Sequence, residues 1–246
     1  HGFGIKATEH ISNLHLIDDV LYACTWGGFF AVDIHTKEVL FPVVTVGVPP
    51  DNQDGYNSVK SIYPDPVDSI YWGTFNNGFF RYDLKKDTVH TFQAYFSNVN
   101  EWWYGKTDHY FYRGFFRGDT LISPSYGHGM VHFDTVSKSY QHYLAYPEDT
   151  LSEFSSGRFE RIKSYLPYDD EHVIINEQAE GIGIYNFVNH SFTYRHPKTN
   201  AYFHRHLGTG MIYDRFGRIW VQFVRSREPV IQVRDSIAHR LFIHSV

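Results

Sequence analysis

The chain reads as all-β, built from small repeated sheets, and three features of the sequence predict this. Aromatic residues make up 18% of the 246 positions, with 19 Tyr, 21 Phe and 5 Trp, and such side chains suit a pleated, half-buried surface. Short apolar runs end at Gly, Asn, Asp or Pro, and no long segment repeats its apolar residues at the three-and-four spacing of a helix. Two markers also keep one period. Asp33, Asp83, Asp134, Asn186 and Asp235 stand 50, 51, 52 and 49 residues apart, while Gly28, Gly78, Gly129 and Gly181 stand 50, 51 and 52 apart.

Each unit divides into four strands. A first strand such as Ser58-Val59-Lys60-Ser61-Ile62-Tyr63 runs into a tight acidic or glycine turn, of which Asp18-Asp19, Gly118-Asp119 and Asp169-Asp170 are examples. The second strand enters a Gly-rich turn, the third ends at the recurrent Asp or Asn, and a further polar turn leads to a fourth strand such as Thr88-Val89-His90-Thr91-Phe92. Asp and Asn fit these turns because their side chains bond nearby backbone amides, and Gly supplies positive φ without a steric penalty. One four-stranded sheet cannot bury both of its faces. Radial stacking buries neighbours against each other and leaves only short edges, whereas solenoid repeats are shorter, with fewer strands. The expectation is a single β-propeller domain over residues 1–246, alone or as part of a larger ring. It would have five blades, at about 10–48, 56–97, 104–147, 158–197 and 204–246.

Bulk properties exclude several functions. No apolar run approaches the 18 residues of a membrane helix. His1-Gly2-Phe3-Gly4 carries no signal-peptide pattern, and a start at His rather than Met suggests a piece of a longer protein. A net charge of −5 argues against nucleic acid, which needs clustered Lys and Arg. Cys24, within Leu21-Tyr22-Ala23-Cys24, has no partner for an internal disulfide and reads as a small buried hydrophobe. Sixteen His residues show no ligand spacing, even at His204-Arg205-His206, so neither a metal nor a cofactor is expected.

Trp72-Gly73-Thr74 followed by Asn77-Gly78-Phe79-Phe80-Arg81-Tyr82-Asp83 carries the repeat most clearly, with Thr25-Trp26-Gly27-Gly28-Phe29-Phe30 and Asp33 as a second copy. Asp214-Arg215-Phe216-Gly217-Arg218-Ile219-Trp220 matches the turn that enters the second strand. Ser123-Pro124-Ser125 and Asn176-Glu177-Gln178 replace the Trp-Gly-Thr portion in the remaining copies. The pattern resembles the two-component regulator propeller repeat. That resemblance implies an extracytoplasmic sensor, periplasmic or extracellular, whose membrane-anchored parent continues into further blades, a β-sandwich, a membrane span and a kinase. It also implies ligands such as glycans or their breakdown products.

An Asp repeated in every blade reads as structural, because catalysis needs one site. Glu177 and Glu180 occur in one copy only, so they are the acid candidates for the alternative of a propeller lyase or glycosidase. Neither a Gly-x-Ser-x-Gly elbow nor a phosphate loop is present. Recognition is the leading expectation: in a propeller, the loops between blades and the turns between second and third strands emerge on one face. The inter-blade loops here are long and rich in aromatic and polar residues. The expected ligand-binding residues are Trp102, Trp103, Tyr104, Asn76, Asn77, Tyr126, His128, Glu177, Arg225 and Arg227, rings to stack on a solute and polar groups to fix its orientation. Trp26, Trp72 and Trp220 recur and read as blade packing. The expected partner is a small molecule or oligosaccharide without turnover; a protein-interaction propeller, including pairing with a second copy, is the other alternative.

Overall fold

A computed structural model describes residues 11–46, 58–65, 69–93, 111–125, 129–144, 162–177, 181–194, 207–224, 231–234 and 242–245. These form twenty strands and no helix. The first sheet holds β1 (Ile11–Ile17), β2 (Val20–Thr25), β3 (Gly28–Asp33) and β4 (Val39–Val44). The second holds β5 (Val59–Pro64), β6 (Ile70–Phe75), β7 (Gly78–Asp83) and β8 (Thr88–Gln93). The third holds β9 (Phe115–Arg117), β10 (Thr120–Pro124), β11 (Met130–Asp134) and β12 (Tyr140–Tyr143). The fourth holds β13 (Ile162–Pro167), β14 (His172–Glu177), β15 (Gly181–Asn186) and β16 (Phe192–Tyr194). A last sheet holds β17 (Leu207–Tyr213), β18 (Ile219–Val224), β19 (Ile231–Arg234) and β20 (Phe242–Ser245). Every sheet is a meander with neighbouring strands in chain order. The chain is a β-propeller, as the repeat predicts. The expected count of five blades goes beyond this, because most side chains of the last sheet lie outside the described residues.

The periodic Asp is explained by its bonds. Asp33 Oδ1 accepts the amides of His35 and Thr36 at 2.9 and 2.8 Å, and Asp134 Oδ1 accepts those of Val136 and Ser137 at 2.8 and 2.7 Å. Asn186 does the same for Val188 and Asn189, and Asp83 for Lys86. Four residues after each lies a residue with positive φ: Lys37, Asp87, Lys138 and His190. The side chain thus replaces a missing backbone partner and sets the third-to-fourth turn. These amides also hold the Asp33 and Asp134 carboxyls below the usual carboxylate range.

A second shared feature is a register shift in the first strand of four sheets, between Ile11 and Asn13, Val59 and Ser61, Ile162 and Ser164, and Gly208 and Gly210. The extra residues are Ser12, Lys60, Lys163 and Thr209. A bulge of this kind twists a strand and re-aims one side chain.

The chain divides into two compact units, His1–Ser123 with His132–Gln141, and Pro124–Val131 with His142–Val246. The first unit has an aromatic core set by strand alternation. Phe29 of β3 is buried, stacks on Phe80 at 5.3 Å and meets the edge of Tyr82 at 5.5 Å. Phe79 of β7, at the same repeat position, turns to the following strands and stacks on Phe133 at 4.7 Å with Phe111 at its edge. In the second unit the fully buried Tyr185 packs against Phe187 and Phe192, and its hydroxyl bonds His190 Nδ1 at 2.9 Å. Tyr143 stacks on His190 at 3.8 Å.

Candidate functional site

One end of the first unit gathers two turns and the starts of two strand segments. The β2–β3 turn holds Trp26-Gly27 and the β6–β7 turn holds Asn76-Asn77. Thr25 Oγ1 ties the first turn, accepting from the Gly27 amide at 3.2 Å and donating to the Gly28 carbonyl at 3.1 Å. Gly28 must be glycine here: its φ is 142°, and a Cβ would stand 2.0 Å from the Val44 carbonyl oxygen. In the second turn the Asn76 amide donates to the Ser58 carbonyl at 3.1 Å, and the Asn76 carbonyl accepts from the Phe111 amide at 3.2 Å. The turn is therefore fastened to the residues at which β5 and the 111–114 segment begin.

Of the ten residues expected to bind ligand, two have described side chains. Asn77 is half-buried, and Asn76 is 6% exposed. Trp102, Trp103, Tyr104, Tyr126, His128, Arg225 and Arg227 lie outside the described residues, as does Glu180. Glu177 is described in its backbone, where it ends β14 opposite Gly181.

The three recurring tryptophans separate. Trp72 is 2% exposed, donates from Nε1 to Asp65 at 2.6 Å, and has the Lys138 ammonium 4.3 Å from its ring centroid. Trp220 repeats the bond with Asp214 at 3.0 Å. Burial alone would raise the Asp214 carboxyl, but the bonds from Trp220, Arg218 and Phe216 outweigh it and leave it well below its ordinary value. Trp26 differs: 42% exposed, it stands in the turn, at the repeat position of Asn76. Blade packing is thus correct for Trp72 but not for Trp26, which the matching Trp-Gly letters obscure. The shared Gly28 and Gly78 spacing reveals the four-residue offset between the two tryptophans.

Beneath this end lies a cluster of basic groups. Lys60, the extra residue of the β5 bulge, is partly buried and its ammonium donates to Ser58 Oγ at 2.8 Å. Burial pulls it down to about 8. His15 of β1 is 5% exposed and has the Tyr63 ring at 5.3 Å, and its Nε2 is buried without a hydrogen-bond partner among the described residues. Burial, with the Arg113 guanidinium, lowers it to about 4. Burial pushes the Cys24 thiol up to about 12 despite Arg113 and Lys60, so it stays protonated and inert at neutral pH. Asn13 Nδ2 donates to the Lys60 carbonyl at 3.0 Å. Among the described residues no three His, Cys, Asp or Glu side chains are grouped to hold a metal.

No family model matches the chain, and no curated protein matches it. Solved structures do. The extracellular domain of the putative hybrid two-component system BT3049 from B. thetaiotaomicron superposes with TM-score 0.58 at 13% identity, over 95% of this chain and 29% of that one. That of BT4673 from the same organism gives 0.59 at 12%, over 98% and 28%. The Cps50 (Swd1) β-propeller domain of Myceliophteria thermophila gives 0.57 at 8%, over 95% and 70%. Identity this low carries the fold alone, and this chain spans under a third of the two extracellular domains.

Proposed function

We propose that this chain is a non-catalytic sensor propeller that binds a glycan or another small solute at the turn-bearing end of its first unit, on the periplasmic or extracellular face of a cell. The observation that carries the reading is Trp26, a large ring held 42% exposed on a turn that Thr25 and Gly28 make rigid, with Asn77 on the corresponding turn of the next sheet. An exposed ring with amides nearby is the make-up of a site that stacks on a sugar face and bonds its hydroxyls. Loops emerging from a fixed scaffold are the usual place for recognition. The fold shared with extracellular domains of two-component systems supports the reading. Trp102, Trp103 and Tyr104 extend the proposed surface of the first unit, and Tyr126, His128, Glu177, Arg225 and Arg227 are proposed ligand-binding residues of the second unit taken by itself.

Calorimetry against a panel of neutral and acidic oligosaccharides tests this. Saturable heat with one class is expected, weakened about tenfold or more by Trp26→Ala, since losing a stacked ring removes on the order of 1–3 kcal/mol. Flat titrations across the panel, or binding indifferent to Trp26→Ala, would contradict it.

A further inference from the structure

The first sheet repeats, position for position, a face that the second sheet keeps covered. In the second sheet one row of cross-strand partners is Ile62, Gly73 and Phe80, and the next runs through Tyr71, Tyr82 and Val89. Ile62 and Phe80 are fully buried and Tyr82 is 2% exposed, because Tyr22, Phe29 and Phe41 of the first sheet pack on this face. The same register in the first sheet gives Leu14, Ala23 and Phe30 in one row and Leu16, Leu21, Val32 and Val39 in the other. Every residue in these two rows is apolar. Yet Leu14 is 50% exposed, Leu16 61% and Val39 42%, with Leu21, Phe30 and Val32 half-buried between them. Strand alternation sends Tyr22 and Phe29 to the opposite side, where the second sheet lies. A contiguous exposed apolar face marks an interaction surface. What fits it is shown one sheet further on: the forward face of another sheet of this repeat.

The last sheet presents such a forward face. Ile212 pairs with Trp220 across β17 and β18 as Tyr63 pairs with Trp72 across β5 and β6, and each Trp bonds the Asp that follows the first strand of its sheet. In the second sheet this face is covered: Tyr63 meets Phe116 at 5.9 Å, and Trp72 meets Phe133 at 6.0 Å. In the last sheet Ile212 is 64% exposed and Trp220 half-buried. We infer that the outer face of the first sheet docks the last sheet of a second copy of this chain, head to tail. Each copy carries both halves of the contact, so unlike surfaces meet, and the association is a dimer with free ends or a chain that grows by the same step. The inference uses neither the Trp26 turn nor any ligand, and it stands apart from the recognition reading.

Sedimentation velocity over a dilution series tests this with two variants, Leu16→Glu on the one face and Ile212→Glu on the other. The unaltered chain should associate as its concentration rises. Each variant alone should associate about thirtyfold or more weakly, the loss expected when an unpaired charge enters the centre of a contact. An equimolar mixture of the two should recover a dimer and nothing larger, because the intact first sheet of Ile212→Glu meets the intact last sheet of Leu16→Glu. A chain that stays monomeric at every concentration overturns the inference and leaves the face to another sheet of a longer parent. Association lost in Leu16→Glu but kept in Ile212→Glu also overturns it, in favour of two first sheets packing on each other. Both side chains are exposed, so both variants should melt as the unaltered chain does. Should one fail to fold, the other variant and the dilution series of the unaltered chain still decide.

Discussion

Two sheets place a pair of polar side chains at the same register and use it differently. In the second sheet Ser61 and Thr74 stand opposite each other just past the β5 bulge, with Oγ and Oγ1 2.7 Å apart. The Gly114 amide donates to Ser61 at 3.1 Å, Thr74 donates to the Tyr112 carbonyl at 2.9 Å, and Ser123 reaches that carbonyl at 3.0 Å. Two of these four bonds tie β5 and β6 to the segment entering the third sheet, one links β5 to β6, and one ties that segment to β10. In the fourth sheet the corresponding pair is Ser164 and Asn176, again opposite and again past the bulge. Asn176 is 1% exposed, yet its Nδ2 and the Ser164 Oγ have no partner among the described residues. One backbone frame thus carries a closed network in one place and an open pair in another. The strand register makes the frame; the side chains decide what it joins.

The frame itself should be the most costly part to disturb. Gly73 precedes Thr74 in β6, and a Cβ there would meet the Ser61 carbonyl oxygen at 2.2 Å and the Phe80 ring at 2.4 Å. Gly73→Ala is expected to destabilise by about 3 kcal/mol or more, through overpacking against backbone. Its counterpart Ile175 is fully buried without such a clash. Urea denaturation checks this, and a loss below about 1 kcal/mol would mean that β6 accommodates a side chain there as β14 does, against the close approach of Ser61 and Phe80.

Protonation should separate the first unit next. His15 takes its proton at about 4 when folded, against 6.5 in the open chain. The unfolded chain therefore binds more protons between those values. The stabilisation is complete above about 6.5 and is lost as pH falls toward 4, by about 2–3 kcal/mol at most. His15→Gln should flatten that slope in stability measured from pH 7 to pH 4. A slope unchanged by the substitution would place the titrating group elsewhere.

The polar pairs give the smallest and sharpest contrast. Ser61→Ala leaves the buried Gly114 amide unmatched and should lose about 1–2 kcal/mol, whereas Ser164→Ala should stay within about 0.5 kcal/mol of the parent. Double-mutant cycles should find Ser61 coupled to Thr74 and Ser164 uncoupled from Asn176. Equal losses at the two serines would show that Ser164 has a partner in solution.

The sequence made the frame legible because its strongest constraints are local. An Asp that bonds amides two and three residues on, and a Gly with φ of 142°, must recur wherever the turn recurs. Asp33, Asp83 and Asp134 therefore kept the period visible. Trp26 misled because identical letters, Trp-Gly, sit four positions apart in the two repeats, one in a turn and one in a strand. The basic cluster was invisible for a different reason: His15, Lys60 and Arg113 come from three separate strands or segments, each about fifty residues from the next, and only the folded sheets bring them together.

Recognition without turnover at the Trp26 end is the claim on which the functional account rests, and saturation-transfer NMR of an oligosaccharide panel addresses both parts in one spectrum. Transfer to the protons of one oligosaccharide, lost in Trp26→Ala, with no new anomeric signals after long incubation, is the predicted result. New anomeric or unsaturated-sugar resonances that grow with time would contradict it and make the chain an enzyme.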